Sequence, residues 1–408
     1  MNYINKLSLG VLMAVSTIAV LPSCNKAPDE IPGTATPAPS GLTLGQTLDA
    51  NDDDSLFYRL IVRGGQLSLI SNSATSYTMF VPDNNAMRVF INAASGGLVP
   101  LNAPDAVFSG FITTNIPPAT AAGIVGYNIV PQVVRAANIP ATFPNLQYPS
   151  VLNPAPSISA LLRLTTFPST RNGAWLNNIP LIDVDQEASN GVIHHTAFVN
   201  TPPQKFLWER INTDTDLEYL KAAIARADSG TAAPGFLVGA LSNIGANLTV
   251  FAPTDAAFQG TITALVTQVL IGLGVPPATA AAQAAALASS PTIFSNPNLF
   301  PYLPAQTVKG ILVYHLLGSR AFTNNLPTDA TAFPTLLNGA VPAHPGLTIQ
   351  ATFGVPFVTS ATVKGLANPA PANIVINASP LLPDPVGSSD QHYLNGVIHK
   401  IDQVLLPQ

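Results

Sequence analysis

The side chains best suited to chemistry in this chain are six histidines and a single cysteine, Cys24. Two of the histidines close a repeated pentapeptide, Asn-Gly-Val-Ile-His, at Asn190–His194 and again at Asn395–His399. His195 follows the first copy directly, and His315 follows Tyr314. Adjacent histidines suggest a metal. Consecutive strand residues point to opposite faces, however, so His194 and His195 cannot easily share one ion. No cysteine pair and no second close histidine cluster completes a zinc set. The run Asp52–Asp54 lacks the alternating ligand spacing of a calcium loop and reads as a solvated helix start. We assign no metal, no cofactor and no catalytic residue.

Enzyme signatures are missing too. The chain has no G-x-S-x-G, no H-E-x-x-H, no phosphate-binding glycine loop and no C-x-x-C. Charged residues make up 9% of the chain, against roughly 25% in a typical soluble domain. So few carboxylates leave little room for a paired-carboxylate hydrolase. The net charge of −5 and the lack of a basic stripe exclude a phosphate-tracking, nucleic-acid-binding surface.

The elements that would position these residues occur twice, in one order. A helix comes first, with Leu56, Leu60 and Ile61 on one face after Asp54-Ser55, and Leu217, Leu220 and Ile224 after Asp214–Asp216. The polar residues at each start are expected to cap the helix. A strand, turn and helix follow, YTMFVPDNNAMRVFI (77–91) and LTVFAPTDAAFQG (248–260), with Asp83 or Thr254 as the cap and Asp255 next to it. Third is an apolar-striped helix, AAGIVGYNIVP (121–131) and TVKGILVYHLLG (307–318). The pentapeptide closes each copy. Four elements in the same order establish a duplication. Phe80 and Tyr127 lie 47 positions apart and Phe251 and Tyr314 lie 63 apart, so the second copy carries about 16 extra residues, expected within 276–300. Ala264–Val275 is short for a membrane span and reads as a helix packed on a core.

This arrangement gives the histidines structural work. His194 and His399 alternate with Val192, Phe198, Val397 and Ile401, which predicts half-buried strand residues. A hydrogen bond from each to a neighbouring element would hold its strand in register. Asn190-Gly191 and Asn395-Gly396 supply the preceding turn. His315 falls on the apolar stripe of its helix with Val308, Ile311 and Leu312, while Tyr314 is rotated about 100° away. Asn128 takes the same position in the first copy, beside Tyr127. A polar residue on both stripes predicts a buried side chain hydrogen-bonded to backbone.

The N-terminus carries a targeting pattern. LSLGVLMAVSTIAVL (7–21) has the length of a signal-peptide core and ends in Leu21-Pro22-Ser23-Cys24, which looks like a bacterial lipobox. On this reading residues 1–23 are removed and Cys24 bears the lipid. Residues 24–41, rich in Pro, Thr and Ala, form a tether. Two further units follow at 42–203 and 204–408.

At TVFAPTDAAF (249–258), VYH (313–315) and NGVIHKIDQVLLP (395–407) the chain resembles the fasciclin domain family. The resemblance covers everything beyond the tether as two tandem copies. The first copy departs further: Asn84 stands for Asp255, Met87 for Phe258 and Asn128 for His315. The resemblance implies an α+β fold, a β-wedge of strands packed with several helices. It implies adhesion or binding of an extracellular protein or glycan partner, with Tyr127, Tyr314 and His315 as candidate partner-binding residues. The expected protein is anchored in a bacterial cell envelope, at the outer membrane and facing outward, with self-association as a further possibility. Recognition is expected at the segments that differ in length between copies, Asn92–Pro118 and Pro276–Pro304. The alternatives are a glycan-binding lipoprotein of nutrient capture, reading sugars through Trp175, and a structural envelope component.

Overall fold

The computed structural model describes residues 41–355, 357–377 and 387–408, and Gly41–Gln408 forms one compact unit. The signal sequence, Cys24 and residues 24–40 of the tether lie outside the described residues.

Each half is built on one parallel strand pair. The opening strand Tyr77–Pro82 lies parallel to the closing strand Gly191–Thr196, aligned from Tyr77 with Gly191 to Pro82 with Thr196. Leu248–Pro253 and Gly396–Ile401 repeat this from Leu248 with Gly396 to Pro253 with Ile401. A two-residue strand flanks the opening strand, Ile129–Val130 or Leu316–Leu317. An outer strand flanks the closing one, Ile179–Ala188 or Gln391–Tyr393. The shared order is short, opening, closing, outer. The pentapeptide strand is thus central, and all six of its residues are buried in both halves. A strand covered on both faces has no use for alternation, which is why Val-Ile reads as a continuous run. The second half adds a separate antiparallel sheet of Thr331–Phe333, Leu347–Phe353, Val358–Lys364 and Ala372–Asn373.

Helices cover one face of each strand pair, giving the α+β architecture. Ser55–Arg63 buries Leu56, Phe57, Leu60 and Ile61, and Glu218–Ala227 buries Tyr219, Leu220, Ala223 and Ile224. The starts of these helices differ from expectation. Neither Asp54 nor Leu217 caps with its side chain. The free Leu56 and Tyr219 N–H groups instead donate to Asn84 Oδ1 and Asp255 Oδ1, both at 2.9 Å. Asp83 and Thr254 cap the next helix through Ala86 N and Ala257 N. A further short helix precedes each unit, Leu44–Asp49 and Leu207–Thr213.

The extra length of the second half begins earlier than its sequence suggests. Asp255–Gly272 runs 18 residues against 11 for Asn84–Ala94, and pairs with Pro277–Leu287 as a helical hairpin. Its buried residues stop at Ile262. Val266 still packs against the core, but Leu265 and Leu273 are 44% and 67% exposed, so most of the Ala264–Val275 run overhangs it. No helix among the described residues is long and apolar enough to cross a membrane.

The halves have separate cores but a shared joint. Phe167 of the first packs with Phe322 and Val397 of the second, all fully buried. Around it four side-chain hydrogen bonds between the halves are neutral: Ser169 Oγ donates to Asn325 Oδ1, Asn325 Nδ2 to the Thr142 carbonyl, Asn172 Nδ2 to the Asn324 carbonyl and Asn324 Nδ2 to the Asn177 carbonyl. Phe322→Ala should therefore cost about 3–5 kcal/mol. Urea unfolding followed by Trp175 and by Trp208 fluorescence should shift together; a shift at Trp208 alone would show that the joint does not couple the halves.

Candidate functional site

The repeated pentapeptide is a fixing point, residue by residue. Asn190 Oδ1 accepts from Leu44 N, the first N–H of its helix, and Nδ2 donates to the Ile70 and Asn72 carbonyls. Asn395 does the same with Leu207 N and the Leu241 carbonyl. A Cβ on Gly191 would lie 2.1 Å from the Tyr77 carbonyl oxygen, and one on Gly396 2.6 Å from that of Leu248. Only glycine lets the paired strands close there.

His194 and His399 are fully buried, not half-buried. The reason is the segment that crosses above the strands. His194 Nε2 donates to the Val134 carbonyl and His399 Nε2 to the Ala321 carbonyl, both at 2.8 Å. The N–H of the same two residues donates to Thr78 Oγ1 (2.7 Å) and Thr249 Oγ1 (2.9 Å) on the opening strands. Each crossing segment is thus clasped at one residue from both sides. The other ring nitrogen accepts from a backbone N–H nine residues upstream, Asp185 or Asp390, at 3.2 Å. Both aspartates hold positive φ, 61° and 54°. Their carboxylates accept from Ala136 N and Thr323 N, two residues beyond the clasp. Phe80 and Phe251 stack on the two rings with centroids 5.5 and 5.9 Å away.

A threonine, a histidine and an aspartate around one point invite a catalytic reading. The geometry opposes it. Each threonine hydroxyl already donates to a backbone carbonyl, Gln132 or Ser319. Because Nδ1 accepts from an N–H, each ring is the neutral Nε2–H form, with no lone pair left for a base.

The candidate partner-binding residues are also interior. Tyr127 and Tyr314 are fully buried and His315 is 2% exposed, so none of them can touch a partner. Tyr314 is off the helix stripe yet buried, because a second layer packs on that side. Its hydroxyl donates to the Gly346 carbonyl and accepts from Leu366 N. Tyr127 donates to the Thr165 carbonyl. His315 Nδ1 donates to the Ile311 carbonyl and Nε2 accepts from Leu405 N, tying the helix end to the last residues of the chain. Asn128 bonds the Ile124 and Asn200 carbonyls from the matching position.

The residue after each clasp histidine faces the other way. His195 Nε2 meets Asp54 Oδ1 at 3.1 Å, so Asp54 is buried and paired and not a solvated helix start. Lys400 meets Asp214 and Asp216 at 2.8 and 3.1 Å. His195 rims a cleft of about 450 Å³ lined by Asp52, Asp53, Asp83, Asp105, Asp183 and Arg88. Among the described residues, no group of three His, Cys, Asp or Glu is placed to hold a metal. At the joint, buried Arg320 donates to His392 Nε2 and to the Tyr393 and Leu394 carbonyls, and lies 4.7 Å over Phe167. Burial pulls its pKa down to about 10, with Tyr127 acting in the opposite direction.

The profile of the Fasciclin domain family matches residues 53–197. The chain carries a fasciclin domain. The match falls on the copy whose motifs depart further. The second half repeats the strand order, the clasp and the glycine contact of that fasciclin domain. A solved pair of FAS1 domains from the insect cell adhesion molecule fasciclin I is 15% identical, over 86% of this chain and 95% of that one. Its TM-score of 0.32 carries no argument about how the domains are arranged. No curated protein sequence matches. Fasciclin domains are associated with cell adhesion and binding, and the family is non-enzymatic.

The histidine shifts fix a pH response. Burial lowers the pKa of His194, His399 and His392, the last also through Arg320, and brings His315 down to about 4. These four stay neutral in the fold to lower pH than they do in the unfolded chain. Their contribution to stability is full above about pH 6.5, the unfolded value, and falls as pH drops below it. His195 has the opposite sign. Burial lowers it, but the bond to Asp54 and the charges of Asp54 and Asp183 raise it overall. Its contribution is full below about pH 6.5 and is lost as pH rises through the folded value. Four against one predicts weakening in acid. His399→Ala should lower stability by about 2–4 kcal/mol at pH 7.5, since it strands a carbonyl and an N–H. It should also flatten the loss between pH 7 and 5 in urea titrations; an unchanged midpoint at pH 7.5 would remove the clasp from this account.

Proposed function

We propose that the protein is a lipid-anchored adhesion protein of a bacterial cell envelope, held through Cys24 and facing outward at the outer membrane. Its two fasciclin units present binding surfaces to an extracellular protein or glycan partner. The carrying observation is how the two kinds of residue divide. The polar motif residues shared by the copies are spent on backbone ties, whereas the segments that differ between copies expose large apolar side chains. Leu98, Leu101 and Val107 are 87%, 54% and 45% exposed on 92–118. Ile271, Leu273 and Leu287 are exposed along the hairpin. No Asp, Glu, Lys or Arg lies between Asp255 and Lys309, so recognition there depends on shape and apolar contact.

The alternative of a glycan-reading lipoprotein does not run through Trp175. That ring is 2% exposed, lies 5.6 Å from Phe357 and donates to the Asn172 carbonyl. A purely structural envelope role would instead show only self-association.

Cys24→Ser should release the protein from the membrane fraction and block lipid labelling. In the anchored protein, Leu98→Asp with Leu273→Asp should cut cell attachment to matrix-coated surfaces at least fivefold with unchanged melting. Membrane retention of the Cys24 variant would refute the anchor, and full attachment by the double variant would refute the surface.

A further inference from the structure

The variable segments do more than expose apolar residues: each reaches a groove along the first core helix of its unit, the first through Thr113 opposite Leu48 and Asp49, the second through Pro291–Phe300. In the first unit the groove measures about 620 Å³, between Ser55–Arg63 and Thr113. In the second it measures about 580 Å³, between Glu218–Ala227 and the stretch Pro291–Phe300. The helix positions coincide. Leu56 and Tyr219 are equivalent through their bonds to Asn84 and Asp255. Counting on from them, Ser55, Tyr58, Arg59, Val62 and Arg63 match Glu218, Lys221, Ala222, Ala225 and Arg226. All ten line their grooves.

The arginines at the last of these positions are held alike. Arg63 Nε donates to the Ile116 carbonyl at 2.8 Å and Arg226 Nε to the Leu303 carbonyl at 3.0 Å, each just before the next helix. That bond orients the guanidinium and uses only Nε. Among the described residues, the Nη groups of both have no further hydrogen-bond partner, and Arg226 lies flat over Phe300 at 3.6 Å. Each groove carries two cations and one carboxylate, Arg59, Arg63 and Asp49 in one, Lys221, Arg226 and Glu218 in the other. Both are locally positive in a chain of net charge −5.

We infer that the two grooves are equivalent binding sites for an acidic carbohydrate, a polysaccharide of uronate units. The inference rests on reading the variable segments as the recognition surface. A planar carboxylate fits the free edge of a guanidinium fork. Tyr58 and Val62, or Ala225, Phe294 and Phe300, give apolar ground for a sugar ring face, and the hydroxyl oxygens of Thr113, Thr292 and Ser295, whose protons are already donated within the protein, can accept from sugar hydroxyls at the rim. The volumes suit a small-ligand site of roughly 300–1,000 Å³. No free sheet edge lines either groove, so an extended peptide would lack the backbone partners it uses elsewhere. One site per repeat suits a ligand that is itself a repeating anion.

Val62 and Ala225 are exposed and make no side-chain hydrogen bond, so a carboxylate there blocks the groove without touching the core. The test titrates residues 41–408, which hold every core cluster, with galacturonate trisaccharide in low salt by calorimetry. Two sites per chain are expected for the unaltered protein, one for Val62→Glu or Ala225→Glu, and at least a thirtyfold loss in the double variant, with unchanged melting. Neutral dextran should give no heat. The inference is overturned if the trisaccharide does not saturate, if the double variant binds it normally, or if only an acidic peptide competes for the grooves. Were the trisaccharide inert while Leu98→Asp with Leu273→Asp still abolished attachment, the grooves would be wrong and the surface reading would stand.

Discussion

The structure depends on a clasp at one residue in each half. Val134 and Ala321 are held at the N–H by a threonine and at the carbonyl by a histidine, the two side chains coming from adjacent parallel strands. Parallel strands cannot be joined by a tight turn, and here more than a hundred residues separate them. Something other than local chain must therefore fix the pair. The clasp does so by making both strands share a third segment. A neutral imidazole suits this work because it donates through one nitrogen and accepts through the other. Neither a charged ring nor an amide offers that geometry at the same span.

Fixing the core this way spends the shared polar residues on stability. In each half most polar groups of the shared motifs are turned inward and bonded to backbone, Tyr127 and Tyr314 among them, while Asn128 Oδ1 is buried without a partner among the described residues. What remains outside is the chain that differs between the halves. The first unit keeps a titratable histidine against Asp54 where the second has a lysine against Asp214 and Asp216. The two units therefore share a frame but differ in the buried ion pair behind the closing strand.

Much of the frame was legible in the sequence. The pentapeptide, the Asp83 and Thr254 caps, and the polar position held by Asn128 and His315 all recur, and recurrence marks a structural constraint. The centre of the sheet was harder to read, because a buried parallel strand loses its alternation and looks half-exposed only if one face is assumed wet. Asp185 and Asp390 escaped notice, although both lie nine residues before a clasp histidine; their role needs a positive φ that composition does not announce. Thr78 and Thr249 look like ordinary strand formers. Tyr127 and Tyr314 lie on the flank that helix periodicity leaves open, and only the second layer that covers it makes them interior. The hairpin shows the converse: Val266 reaches the core while Leu265 and Leu273 run past it, and apolarity alone does not say where the core beneath a helix ends.

The joint between the halves is made largely of amides and hydroxyls, Asn172, Asn324, Asn325 and Ser169 around Phe167 and Phe322. Dissolved ions screen exposed charges over about 8–10 Å but leave buried neutral hydrogen bonds and packed rings almost untouched. A hinge of surface ion pairs would loosen as its surroundings grew saltier. This one holds the two halves in one arrangement over a wide range of ionic strength.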